Sequence, residues 1–172
     1  MPFIARNGAH PTASVYVETS IPSFFHDTRV EPVMKARREW TREWWSHAPT
    51  NYQLFTSEAV LDELGRGDYP TRAECLALVQ DLRVLPITPQ IGGIVAAYLR
   101  NKVMPADPLG DALHLALASY YQCDFLLTWN CAHLANANKF GHIRRVNEML
   151  GLTVPILTTP LELLGGTDES SR

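Results

Sequence analysis

The segment CDFLLTW, residues 123 to 129, is apolar almost without interruption. A strand with one face in water alternates apolar and polar residues, so an unbroken run belongs to a strand covered on both faces. Helices have to supply both covers, and the rest of the chain provides them. Short runs rich in β-branched and aromatic residues at 15–17, 52–56, 84–87 and 154–157 read as further strands. Helical patterns separate them. Residues 21–25 carry Pro22 in a first turn, and Pro32 opens a longer helix over 33–46 with Val33, Ala36, Trp40 and Trp44 toward the core. Ser57 is a suitable N-cap for a helix reaching Leu64 and ended by GRGD. The stretch 71–82 is amphipathic, with Ala73, Leu76, Ala77 and Val79 available to a core face. Thr88 and Pro89 start another helix running to about Lys102, Asp107-Pro108 caps the one carrying DALHLALASYY, and Gly151 terminates 138–150. Strands alternating with helices predict a three-layer α/β/α sandwich around a mainly parallel sheet of four or five strands.

The 172 residues suffice for one core, placed at 14–164, with a loose extension over 1–13 and a frayed tail over 165–172. No run approaches the roughly 18 apolar residues of a membrane span, and the first residues lack the apolar block of a signal peptide. Cys75, Cys123 and Cys131 cannot all pair within the chain and match no zinc spacing. They read as reduced thiols of a cytoplasmic protein. A formal charge of −3 gives no global attraction to nucleic acid, so any such binding needs a local patch.

Glu18 ends the first strand, in VYVETSIPSFF, where a carboxylate costs free energy unless it is paired, solvated or bound to a cation. Ligands of open α/β sheets sit beyond the carboxyl ends of the strands, and Glu18 falls there. Asn130 follows the strand CDFLLTW, Asp111 begins an apolar helix, and Glu63 lies on the helix SEAVLDELG. Carboxylates gathered together imply a cation between them, and hard oxygen donors without thiolates suit magnesium or manganese. Each also has a structural reading: Asp111 as a dipole-favoured first-turn acid, Glu63 as a solvent-facing residue like Asp62, Asn130 as a turn or N-cap residue. Spacing leaves these readings open.

The ordered motifs VYVETSIPSFF, SEAVLDELGRGD, PLGDALHLALAS, LLTWNCAHLAN and VNEMLGLTVPILTTPLEL resemble those of PIN-domain nucleases, in particular the VapC-like toxins of type II toxin–antitoxin systems. The resemblance spans about residues 14 to 164. It implies an RNA-cutting hydrolase dependent on Mg2+ or Mn2+, with Glu18, Glu63, Asp111 and Asn130 as catalytic and metal-holding residues. Ser20 and Thr128 match accompanying hydroxyl residues. Glutamate at 18 and asparagine at 130 stand where the family usually has aspartates, so one position gains a methylene and the other gives up a charge. A protein antitoxin and a homodimer are also implied, and Tyr98 and Tyr120 are candidate exposed aromatics for the dimer contact.

His114, one helical turn beyond Asp111, reads either as a proton shuttle or as a hydrogen-bonded residue at the core edge, and the second reading keeps it out of the catalytic set. Lys35, Arg37, Arg38 and Arg42 interleave with Trp40, Trp44 and Trp45. Glu39 and Glu43 dilute its charge, and the resemblance, in which the region after the first strand commonly receives the antitoxin, implies a protein partner rather than RNA for that face. Arg144 and Arg145 are an equal candidate for RNA contact. Two rival functions remain: a PIN module that binds RNA or protein without turnover, and a phosphatase or phospho-acceptor. The last wants a nucleophilic aspartate where Glu18 stands and finds no Gly-rich phosphate loop.

Overall fold

The computed structural model describes residues 12–104 and 110–164. Residues 1–11 of the extension expected over 1–13, the Asp107-Pro108 cap and the tail over 165–172 lie outside the described residues.

Five strands, β1 (Ser14–Val17), β2 (Gln53–Ser57), β3 (Arg83–Leu85), β4 (Phe125–Leu127) and β5 (Ile156–Thr158), form one sheet in the order β3-β2-β1-β4-β5. All four pairings are parallel. Side chains alternate between the faces. Val15, Val17, Leu54 and Leu127 enter one apolar cluster, whereas Tyr16, Phe55 and Leu126 enter the other. The apolar run therefore serves both faces.

Helices α1 (Ser20–Phe25), α2 (Pro32–Asn51) and α8 (Pro160–Leu164) contribute to the first cluster. On the other side lie α3 (Glu58–Gly65), α4 (Arg72–Val79), α5 (Pro89–Arg100), α6 (Asp111–Tyr120) and α7 (Ala137–Met149). The molecule is thus an α/β/α sandwich on a five-stranded parallel sheet. Among the described residues no helix is long and apolar enough to cross a membrane.

Ser57 caps α3 by accepting the Val60 N–H at 3.3 Å. Gly67 in GRGD and Gly151 after α7 take φ of +74° and +67°, the left-handed conformation that ends a helix cheaply only at glycine. Helix α2 continues past Ser46 through Pro49 to Asn51.

Several inward faces differ from expectation. Val33 is 58% exposed at the start of α2, and Ala36 is half-buried, because the first turns of that helix extend beyond the first-face cluster. On α4 the buried positions are Cys75 and Val79, with Ala73 and Ala77 in solvent. The one-turn spacing 75/79 sets that face, and a thiol packs there as a small apolar group. Tyr98 is not exposed: its side chain is fully buried, and its hydroxyl donates to Asn147 Oδ1 at 2.6 Å. Burial pushes its phenol up to about 12. Asn147 in turn donates to Ser119 Oγ and the Thr153 carbonyl, so this buried polar group is fully partnered. Tyr120 is half-buried.

All three cysteines are free; Cys75 and Cys123 are buried and Cys131 is exposed. Burial pushes the Cys123 thiol up to about 12, and it raises that of Cys75 as well. Only a thiolate attacks a disulfide reagent. Ellman's reagent at mildly alkaline pH should therefore titrate Cys131 alone in the native protein and all three thiols in denaturant. Rapid modification of more than one thiol in the folded state would contradict this packing.

Candidate metal centre

Strand β1 is flanked by β2 on one side and β4 on the other, and the chain crosses from one side to the other between β3 and β4. That reversal opens a crevice at the carboxyl ends of β1 and β4, the usual ligand position in such sheets. Glu18 follows β1 and Thr128 to Asn130 follow β4, so both strand tips deliver polar residues to the same place.

Glu18 is 7% exposed. Its Oε2 accepts the Ser20 N–H at 3.1 Å, the Ser20 hydroxyl, and the Thr128 hydroxyl at 2.7 Å. Each hydroxyl also accepts a backbone N–H from the segment after β4: Trp129 to Ser20 Oγ at 2.8 Å, Asn130 to Thr128 Oγ1 at 2.9 Å. The hydroxyls thus relay main-chain donors onto a buried carboxylate, which lowers the cost of its charge. Among the described residues the other oxygen, Oε1, accepts no hydrogen bond and stands 3.9 Å from His114 Nε2.

Glu63 is turned inward, while its neighbour Asp62 faces solvent. Its Oε2 accepts the Thr19 hydroxyl at 2.6 Å and its Oε1 lies 2.9 Å from His114 Nε2. Burial raises its carboxyl, but the bonds from His114 and Thr19, His114's charge and that of Arg66 outweigh this and hold it below the ordinary value. His114 is 1% exposed, and its Nδ1 meets the Tyr16 hydroxyl at 2.7 Å; that hydroxyl meets Ser57 Oγ at 2.7 Å. Burial alone would lower the imidazole, yet the Glu63 hydrogen bond and the charges of Glu18, Glu63 and Asp111 raise it overall. Ligand atoms of Glu18, Glu63 and His114 all lie within 4.8 Å of one another.

Asp111 opens α6 one turn before His114, and its Oδ1 accepts from Asn130 Nδ2 at 2.8 Å. Asn130 Oδ1 accepts the His133 N–H at 3.1 Å. A carboxylate acceptor on one side and an N–H donor on the other fix the orientation of this amide. Its oxygen therefore caps the following turn and its nitrogen faces the acid. The structure joins Glu18 to Glu63 through His114, and Asp111 to Asn130 directly; α6 and the end of β4 link the two pairs.

His114, Tyr16, Ser57 and Thr19 are the residues that sequence reasoning left out of the site. The one-turn offset from Asp111 carried the signal for His114. The other three become visible only when β1, α3 and α6 are brought together.

The atoms brought together belong to two carboxylates and one imidazole, Glu18, Glu63 and His114, with no thiolate. Asp111 stands outside that group, one turn away on α6, and among the described residues Glu18 Oε1 and Asp111 Oδ2 are without hydrogen bonds. Two carboxylates held this close, one of them with an oxygen left unpartnered, fit a hard divalent ion such as Mg2+ or Mn2+.

Neither a family model nor a curated protein sequence matches the chain. Among solved structures, it is similar to the crystal structure of Mycobacterium tuberculosis VapC20, a Sarcin-Ricin loop cleaving toxin, with a TM-score of 0.55 at 18% identity. The match covers 70% of this chain and 92% of that one. The fold is the VapC-like PIN fold.

The Tyr16 hydroxyl touches both the α3 cap and the buried imidazole. Tyr16→Phe should strand His114 Nδ1 without a partner and lower unfolding stability by about 1–2 kcal/mol. Urea denaturation reads this as an earlier midpoint with an unchanged slope, and an unmoved midpoint would show that the hydroxyl bridges nothing of consequence.

Proposed function

We propose that this chain is a metal-dependent endoribonuclease of the VapC type, hydrolysing RNA phosphodiester bonds as the toxin of a toxin–antitoxin pair. The observation that carries the proposal is the convergence of Glu18, Glu63 and His114 at the carboxyl edge of this sheet, with Asp111 one turn away on α6. A cluster of acids gathered at a crevice, on the fold of a Sarcin-Ricin loop cleaving toxin, supports phosphodiester hydrolysis.

Glu18, Glu63 and Asp111 would hold Mg2+ or Mn2+. Such an ion, when bound, would make a coordinated water acidic and draw charge from the phosphate oxygens. The residues of the chain do the rest. Ser20 and Thr128 fix the rotamer of Glu18, leaving Oε1 toward the cleft. Asn130 aims Asp111 by donating to one of its oxygens. His114 keeps Glu63 turned inward, and Tyr16 keeps His114 in place. A soluble cytoplasmic toxin, assembled as a homodimer and neutralised by a protein antitoxin, completes the reading. The resemblance of the sequence motifs and the fold both support it.

One observation favours a second reading, a PIN module that binds RNA without turnover. Asn130 contributes an amide where the family's motif usually has a carboxylate, and that amide spends its oxygen on the His133 N–H.

A single experiment separates the two. Purified protein should cleave single-stranded RNA with Mn2+ or Mg2+ and stop on adding EDTA. Asp111→Asn should lower that rate by about a hundredfold or more while keeping the circular dichroism of the parent. In parallel, Mn2+ should raise the melting temperature of the parent and do so far less for Asp111→Asn. Cleavage that survives EDTA, or a variant as fast as the parent, refutes the assignment; RNA binding without metal-stimulated cleavage selects the second reading.

A further inference from the structure

Helix α2 starts just after α1, beyond the carboxyl end of β1, and returns the chain to the start of β2. Its first turns therefore lie at the same edge of the sheet as the acidic cleft. Arg37 stands in the second turn. Its guanidinium carbon lies 5.1 Å from the centroid of the Trp129 indole and 5.5 Å from that of Phe24, two rings whose centroids are 6.0 Å apart.

Both rings are held by the residues that hold Glu18. The Trp129 N–H donates to Ser20 Oγ, the hydroxyl bonded to Glu18, and Phe24 follows Ser20 by one turn of α1. Trp129 Nε1 donates to Thr41 Oγ1 at 2.8 Å, and Trp40 stacks on the indole with centroids 6.2 Å apart. Trp129 is 6% exposed, so it forms a rigid wall. Arg37 is thus fixed one ring away from the acid cluster.

The neighbouring arginines also meet rings or carbonyls, but their guanidinium groups are already bonded. Arg29 lies over the same Phe24 ring at 5.3 Å and is ion-paired to Asp27, and Arg38 contacts Glu39 at 3.4 Å and donates to the Asp27 carbonyl. Arg42 lies over Phe25 at 5.5 Å and donates to the Phe25 carbonyl at 2.9 Å. Among the described residues Arg37 has no ion pair, and its guanidinium makes no hydrogen bond. It is half-buried. A guanidinium held over rings keeps its charge and its planar set of N–H donors. Little side-chain freedom remains to be lost when an anion arrives.

We propose that Arg37 is a substrate-positioning residue that grips a backbone phosphate of single-stranded RNA beside the bond to be cut. The proposal rests on the ribonuclease reading and gives it a means of holding a polyanion next to an acidic cleft. Carboxylates repel the substrate strand everywhere except where an ion screens them, so a fixed cation at the rim supplies the missing attraction. RNA fits better than an acidic protein segment. Its phosphates recur at short, regular intervals, so a strand with one phosphate in the cleft carries another to the rim. The expectation that this face meets a protein partner is untouched at the other residues; the phosphate contact concerns Arg37 alone.

The test measures affinity for a short fluorescein-labelled single-stranded RNA by anisotropy over a range of salt, with Ca2+ in place of Mg2+ to suppress cleavage. Arg37→Ala should weaken binding about tenfold and make the slope of log K against log salt shallower by about 0.7. Arg37→Lys should restore the slope and only part of the affinity, because an ammonium lacks the planar fork. In cleavage assays with Mg2+, Arg37→Ala should raise KM with kcat nearly unchanged. Stabilisation of the fold by Mn2+ should persist in both variants, which separates a lost phosphate contact from a damaged acid cluster. The assignment is overturned by unchanged RNA affinity in Arg37→Ala, by an equal loss in Arg144→Ala on the opposite face of the sheet, or by a loss confined to binding of a polyglutamate peptide. Binding is read without turnover, so a protein that holds RNA through Arg37 and never cuts it would refute the nuclease reading and leave only the phosphate contact at Arg37 standing.

Discussion

The crevice is organised around one buried carboxylate. Glu18 comes directly off the central strand, where full desolvation of an unpartnered charge would cost several kcal/mol. Its Oε2 is met by three donors, two of them the hydroxyls of Ser20 and Thr128. Those hydroxyls are themselves acceptors for the N–H groups of Trp129 and Asn130. The tips of β1 and β4 are therefore tied through a charge, in addition to the Glu18 N–H bond to the Leu127 carbonyl at 3.1 Å. Removing the acid would leave hydroxyls and main-chain groups to find other partners. The shape of the cleft and the position of its principal anion are one structural fact.

The same tie fixes what lies at the rim. Trp129 continues from Thr128, so the carboxylate network sets its ring against Thr41, Trp40, Phe24 and Arg37. On the other side of β1, Tyr16 points away from Val15 and Val17 by strand alternation and reaches Ser57 and His114. One strand of four residues thereby places an acid at its end, a tyrosine that fixes the imidazole, and two valines that anchor the opposite layer. This economy follows from the period of a strand, which assigns neighbouring residues to opposite faces.

Much of this was legible from residue types. An apolar run without polar alternation requires a doubly covered parallel strand, and β4 is one, with Leu126 and Leu127 in different clusters. Ser57, Gly151 and the proline-led helices signalled their own ends through local chemistry. Helix faces were less legible, because a face is chosen by what packs on it. Alanine is nearly neutral toward burial, so Ala73 and Ala77 carried little information, and Cys75 took the inner position. Tyr98 could be placed only with Asn147 and Ser119, partners 49 and 21 residues away that satisfy its hydroxyl. At the candidate site the strand-end position marked Glu18, and Asp111 and Glu63 were plausible from position. The link between Glu18 and Glu63 was not, since it runs through His114, which is hydrogen-bonded at the core edge as one of its two sequence readings had it and reaches the acids from there.

The asparagine at 130 bears on how such a cluster folds before any ion arrives. Three carboxylates in a half-buried cleft repel one another, and a fourth facing Asp111 at hydrogen-bond distance would add a like charge in a medium that screens poorly. The amide reverses that sign locally, turning a repulsion into a 2.8 Å hydrogen bond, and its oxygen caps the turn after β4. His114 acts similarly at the other end, where its Nε2 lies 2.9 Å from Glu63 Oε1 and 3.9 Å from Glu18 Oε1 and sets a nitrogen between the two acids. Both devices reduce the dependence of the folded site on a bound metal, and both lower the negative charge available to attract one. A cleft built this way would hold its ion less tightly than one with four acids. On the ribonuclease function proposed above, such a cleft has more need of a fixed cation at its rim to keep an RNA strand in place.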